Sequence, residues 1–177
     1  MFLYLAMIDS DADKSKFEIL YSEYKNLMYY TANRILRNSS DAEDAVHQAF
    51  LKVIEILDTI SSPRCHKTRA LLVTLTEHKA IDLYREKQRR NVLPLAEEYV
   101  GAAPAAEIER LAERDTLAAA IAALPPRYRS VLLLRYDCGY SNAEIANILD
   151  TTEPNVRKLI QRAREKLSTA LSRMEEP

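Results

Sequence analysis

Apolar residues recur at three- and four-residue spacing over most of the chain. Phe17, Leu20, Tyr21, Tyr24, Leu27, Met28 and Ile35 follow that spacing and predict an amphipathic helix over 15–37. Asn38-Ser39-Ser40 breaks the pattern. Ser40 and Glu43 have the S-x-x-E spacing of a capping box, which predicts a second helix running to about residue 59. Its apolar stripe is Ala45, Val46, Ala49, Phe50, Val53, Ile54 and Leu57. After Ser61-Ser62-Pro63 comes a basic loop over 63–69, PRCHKTR, and then a third helix from about Ala70 to Arg90. Residues 93–106 hold Pro94, Gly101, Pro104 and several alanines, the composition of a linker.

Beyond the linker the pattern predicts a fourth helix over about 107–123, a break at Pro125-Pro126, and a fifth over about 127–137. Gly139-Tyr140-Ser141 forms a turn, and Ser141 with Glu144 makes a second capping box. A short helix carries Ala143, Ile145, Ala146, Ile148 and Leu149. Asp150-Thr151-Thr152 turns the chain, and Glu153-Pro154 suit the first turn of a last helix reaching about Met174. Val156, Ile160, Ala163 and Leu167 form its inward stripe. A short helix, a three-residue turn and a long basic helix make a helix-turn-helix pattern. The expected fold is all-α. It comprises two small helical domains, 1–92 and 113–177, joined by a flexible linker over 93–112, and the second holds the helix-turn-helix.

The opening MFLYLAMI is mostly apolar but lacks the basic flank and cleavage site of a signal peptide. Either Met7 is the natural start, or the segment is a short strand or fray packed on the body. No run of about 18–20 apolar residues exists, so no membrane insertion is expected.

Composition narrows the classes. The chain has 2 glycines in 177 residues, too few for the hairpins of an all-β fold or for phosphate-cradling loops. Cys65 and Cys138 lie far apart with no matched set of ligands, which argues against a metal site, and reduced cysteines are the simpler reading. Cys65-His66 alone is at most half of such a site. No cofactor motif occurs. The acid pairs Glu43/Asp44, Glu97/Glu98 and Glu175/Glu176 are adjacent in sequence, so their carboxylates do not face each other as an acid–base dyad. With no nucleophile motif, the chain is not expected to be an enzyme.

The net charge of −1 hides a segregation. Residues 63–92 hold 8 bases and 3 acids, and residues 156–173 hold 6 bases and 1 acid. Between them, residues 93–124 hold 2 bases and 6 acids. Nucleic-acid binding follows local positive potential, although solvated helix faces carry such runs too. On the last helix Asn155, Arg157, Lys158, Gln161 and Arg162 are outward. Arg bonds guanine bidentately, and Asn or Gln does the same for adenine. Arg164 and Lys166 suit phosphate contacts. A helical hairpin with a charged outer face is the plain alternative.

Three stretches resemble the extracytoplasmic-function (ECF) group of bacterial RNA polymerase sigma factors, with similarity from about Phe17 to Leu171. LMYYTANRILRNSSDAEDAVHQAFLKVI is similar to the polymerase-binding part of region two. ALLVTLTEHKAIDLYREKQRR is similar to its promoter-reading helix. LPPRYRSVLLLRYDCGYSNAEIANILDTTEPNVRKLIQRAREKL is similar to region four. The resemblance implies an alternative, cytoplasmic sigma factor that binds core RNA polymerase and promoter DNA. Asp41, Glu43, Asp44, Gln48, Phe50 and Leu51 would meet the polymerase. Lys67, Arg69, His78, Lys79, Arg85, Lys87, Arg89 and Arg90 would meet the minus-ten element, where a base must leave the stack. Asn155, Arg157, Lys158, Gln161, Arg162, Arg164 and Lys166 would meet the minus-thirty-five element. Family members are commonly held off by an anti-sigma protein.

The sequence departs from the family at two places on the third helix. Leu71 stands where a Trp is common. His78 stands where an Asn often holds the flipped base; it either keeps that role or packs against a neighbouring helix. The turn before Val156 has EPN instead of a small GT-type pair. A stand-alone helix-turn-helix regulator is the rival function, and it leaves the first domain unexplained.

Overall fold

Helices make up every regular element that the computed structural model describes, over residues 1–90 and 116–175. The expected linker, 93–112, and residues 107–115 of the expected fourth helix lie outside the described residues. The chain divides into two compact units, residues 1–95 and 96–177.

The first unit opens with a four-residue helix, α1 (Phe2–Leu5), rather than a strand. Helix α2 (Asp11–Leu36) starts four residues before the periodicity predicts, because the Ser10 side chain accepts from the Asp13 N–H. It ends at Arg37 in the left-handed conformation, φ 52°, whose N–H bonds the Asn33 carbonyl. Helix α3 (Ser39–Glu55) is capped by Asn38, whose Oδ1 accepts from the Asp41 N–H at 3.1 Å. The expected Ser40–Glu43 capping box is therefore not the cap: Asn38 takes that place two residues earlier, leaving Ser40 inside the first turn. A short 3-10 turn, Leu57–Thr59, follows.

Helix α4 (His66–Arg90) begins one turn before Ala70, so most of the expected basic loop is helical. Its start is held by polar contacts that periodicity does not reveal. Thr68 Oγ1 donates to the Ser62 carbonyl at 2.7 Å and lies 3.3 Å from Cys65 Sγ. The Tyr24 hydroxyl donates to the Pro63 carbonyl at 3.0 Å. Phe17, Leu20 and Met28 from α2, Ala45, Phe50 and Val53 from α3, and Leu71, Leu72 and Leu75 from α4 form the core. Each is essentially withdrawn from water, a burial that stabilises by about 1.5–3 kcal/mol for a large apolar side chain.

The second unit holds α5 (Thr116–Ala123) and α6 (Pro126–Leu132), separated by the Pro125-Pro126 break. Arg129 is buried, and its Nη1 donates to the Ala122 carbonyl at 3.1 Å, satisfying an acceptor at the end of α5. The expected fifth helix does not continue regularly to residue 137. Leu133–Asp137 widens into a π turn closed by the Cys138 N–H on the Leu133 carbonyl at 2.9 Å. Gly139 then takes φ 81°, which a glycine reaches without strain.

Helix α7 (Asn142–Ile148) has the expected capping box: Glu144 N–H donates to Ser141 Oγ, and Ser141 N–H donates to Glu144 Oε2 at 2.7 Å. It closes with Asp150 at φ 49° and the Thr151 N–H on the Ala146 carbonyl at 2.9 Å, a Schellman arrangement with Asp in place of Gly. Helix α8 (Glu153–Glu175) follows at once. Leu124, Val131, Leu134, Ile145, Ile148, Val156 and Ala163 form this unit's core.

Candidate nucleic-acid interface

Helix α8 is positioned by its buried Val156 and Ala163, which pack it on the rest of the second unit. Its other face is polar: Asn155, Arg157, Lys158, Gln161, Arg162, Arg164 and Lys166 are all exposed. Several are already engaged on the protein itself. Arg157 Nη2 lies 2.5 Å from Glu153 Oε1 one turn back, and Gln161 Nε2 donates to Glu165 Oε1 at 3.1 Å. Asn155 Nδ2 reaches Thr151 Oγ1 at 3.4 Å. Lys166 Nζ sits 5.6 Å from the centre of the Tyr128 ring. Arg157 and Gln161 thus stand ordered on one face, each held by a carboxylate one turn away on the same helix.

Beside them lies a hollow of about 410 Å³ lined by Arg135, Tyr136, Asn142, Arg157, Ile160, Gln161, Arg164 and Glu165. Arg135 and Tyr136 belong to the π turn, and sequence periodicity missed both. Arg135 Nη1 donates to the Tyr140 carbonyl at 3.0 Å, which fixes a third guanidinium beside Arg157 and Arg164. Three guanidinium groups around one hollow suit a polyanion backbone. The available signal was an exposed Arg-Tyr pair just ahead of the helix-turn-helix.

In the first unit, the cationic residues of α4 do not form one patch. At 1.5 Å per residue, Lys67 and Arg89 are about 33 Å apart along the helix. At about 100° per residue, Lys67, His78, Arg85 and Arg89 share one face, and Arg69 and Lys87 fall on the opposite one. Residues 71–77 between them are buried. His78 and Lys79 are half-buried, whereas Lys67, Arg69, Arg85, Lys87 and Arg89 are exposed. The side chain of Arg90 lies outside the described residues. Leu71, at the family's Trp place, is fully buried. At the head of α4, hydrogen bonds from Thr68 lower the pKa of the Cys65 thiol from its ordinary value.

Helix α3 exposes Glu43 and Asp44, half-buries Asp41, Gln48 and Leu51, and buries Phe50 completely. Phe50 packs among Tyr4, Phe17 and Tyr21, with ring centres 5.0–5.8 Å away. It is a core residue and offers a partner no surface, because the stripe that seats α3 passes through it. Asp41 forms an ion pair with Lys87 of α4. Among the described residues no group of His, Cys, Asp and Glu is placed to hold a metal ion. No described helix is long and apolar enough to cross a membrane.

Comparison with known proteins adds to this geometry. A Sigma-70 region 2 model matches residues 20–90, and a Sigma-70, region 4 model matches residues 114–167. The chain is 28% identical over 171 residues to the ECF RNA polymerase sigma factor SigW of Bacillus subtilis, covering 90% of each. It is 26% identical over 165 residues to the ECF RNA polymerase sigma factor SigL of Mycobacterium tuberculosis, covering 92% of this chain and 93% of that one. Among solved structures, the sigma factor RpoE in complex with the anti-sigma factor NepR from Bartonella quintana matches with a TM-score of 0.42 at 17% identity. That match covers 92% of this chain and 97% of the other.

Proposed function

The chain belongs to the ECF group of sigma-70 RNA polymerase sigma factors, and from that premise we propose how its two units divide the work of promoter recognition. The protein binds core RNA polymerase and directs transcription initiation at its promoters. The exposed acids Glu43 and Asp44, with Asp41, Gln48 and Leu51, meet the polymerase. Helix α4 meets the minus-ten element, with Lys67, His78, Arg85 and Arg89 on its DNA face and Arg69, Lys79, Lys87 and Arg90 adding positive potential. Phosphate contacts there offset the few kcal/mol that unstacking a base costs. Helix α8 reads the upstream element through Asn155, Arg157, Lys158, Gln161 and Arg162, while Arg164 and Lys166 hold phosphates.

The domain division follows the same reading: 1–92 for the polymerase and minus-ten element, 93–112 as linker, 113–177 for the upstream element. The chain contributes no catalysis, since bond formation is the polymerase's chemistry. It works in the cytoplasm, where promoter DNA and polymerase are. An anti-sigma protein that covers these surfaces is the expected regulator.

The observation that carries this reading is the pair of separate matches: region 2 falls on the unit with α3 and α4, and region 4 on the unit with α8. A stand-alone helix-turn-helix regulator accounts for α7 and α8 alone. Gel filtration of the chain with purified core RNA polymerase tests the reading. Co-elution is expected, and separate elution at micromolar concentrations contradicts it.

A further inference from the structure

Glu153 opens α8, and its side chain is 40% exposed. Its Oε1 accepts from Arg157 Nη2 at 2.5 Å, one turn along, and the arginine is 66% exposed. EPN in place of the family's small GT-type pair is what supplies this carboxylate. An acid in the first turn complements the helix dipole. It also repels the phosphates that a basic helix has to approach. That repulsion is offset if the carboxylate meets a base edge that donates, and it then acts against every base edge that does not.

Arg157 and Glu153 together present a fixed order of donors and an acceptor. The guanidinium has five N–H donors, of which Nη2 serves Glu153. Two donors can bond guanine N7 and O6. The carboxylate only accepts, and the base-edge donors of the major groove are cytosine N4 and adenine N6. In a G·C pair cytosine N4 lies next to guanine O6, so two acceptors are followed by a donor across the groove. The donors of Arg157 followed by the acceptor of Glu153 complement that order. A·T and T·A place their donor between two acceptors, and C·G reverses the order. First-turn residues of such a helix reach base edges. Glu165, the matching acid that accepts from Gln161, lies about 18 Å further along the axis.

We propose that Glu153 is a specificity-determining residue of the upstream reader: with Arg157 it recognises one G·C pair, Arg157 on guanine N7 and O6 and Glu153 on cytosine N4. This rests on the assignment of α8 to the upstream element made above.

The test measures binding of the chain in complex with core RNA polymerase to promoters that carry each base pair in turn at every upstream position. Wild type, Glu153→Ala, Arg157→Ala, the double variant and Glu165→Ala are compared, with thermal melts to check that each is folded. The wild type should prefer G·C at one position, and Glu153→Ala should cut that preference about fivefold or more. The double variant should lose no more preference there than Arg157→Ala alone, because the two side chains read as a unit. Glu165→Ala removes the same charge and should tighten all sequences alike. Equal tightening on every sequence by Glu153→Ala overturns the proposal and leaves Glu153 as a competing charge beside an intact Arg157. A preference for any other pair at the position that Arg157→Ala disturbs overturns it too. A wild type with no base preference in the upstream element overturns the assignment of α8 itself.

Discussion

Lys87 near the end of α4 forms an ion pair with Asp41 in the first turn of α3, across 46 residues of sequence. It joins the helix assigned to the minus-ten element to the edge of the helix assigned to the polymerase. The lysine is half-exposed and the aspartate mostly covered. The pair itself is worth little. A double-mutant cycle with Asp41→Asn and Lys87→Gln, followed by urea unfolding, should give a coupling below about 1 kcal/mol that shrinks as salt is added.

Arg157 and Arg89 should fail in different ways. Arg157→Ala is expected to lose about 1–3 kcal/mol of discrimination at the upstream element. Arg89→Ala should weaken all promoters alike and reduce the salt slope by about one. Glu153→Gln removes the carboxylate that competes for Arg157 at 2.5 Å and should tighten upstream binding. Competition binding of the holoenzyme against a promoter library separates these effects; equal, sequence-blind losses from Arg157→Ala and Arg89→Ala contradict the division of roles.

The Ser141–Glu144 capping box sets the start of α7. Hydrogen bonds from Ser141 lower the Glu144 pKa from its ordinary 4.5. A carboxyl with a lowered folded pKa contributes stability above its unfolded value and loses it as pH falls through the folded one. Thermal melts in acid should therefore show part of the second unit's stability disappearing below about pH 4. Glu144→Gln should remove that part of the pH dependence. Ser141→Ala should cost about 1 kcal/mol at neutral pH.

Phe50 and Leu51 are neighbours with opposite expected roles. Phe50 is fully buried among three aromatic rings, so Phe50→Ala should cost about 3–5 kcal/mol of stability. Leu51 is half-buried on the outer side of α3. Leu51→Ala should cost less stability and more polymerase affinity, measured by urea unfolding and by titration with core enzyme.

The helices of both units were legible because their apolar stripes hold the 3.6-residue period. The helix-turn-helix was the clearest, since Ser141, Glu144 and Glu153-Pro154 punctuate it by local chemistry that acts where the sequence puts it. The boundaries that shifted were set by contacts the period does not encode. Asn38 outcompeted Ser40 as a cap, and Thr68 with Cys65 started α4 a turn early. The π turn at Leu133–Asp137 was invisible for the same reason, and with it Arg135 and Tyr136 beside the α8 hollow. The resemblance puts Phe50 among the polymerase-facing residues although it sits on the apolar stripe and is fully buried, because a resemblance carries a motif across without saying which of its residues are turned inward.

In vitro transcription with purified core RNA polymerase on a promoter library tests the central claim most directly. Transcripts that start at a defined subset of promoters, absent without the chain and lost with Arg157→Ala at the upstream element, are the expected result. Promoter DNA bound equally well with or without core polymerase, and no transcript dependent on the chain, would contradict it.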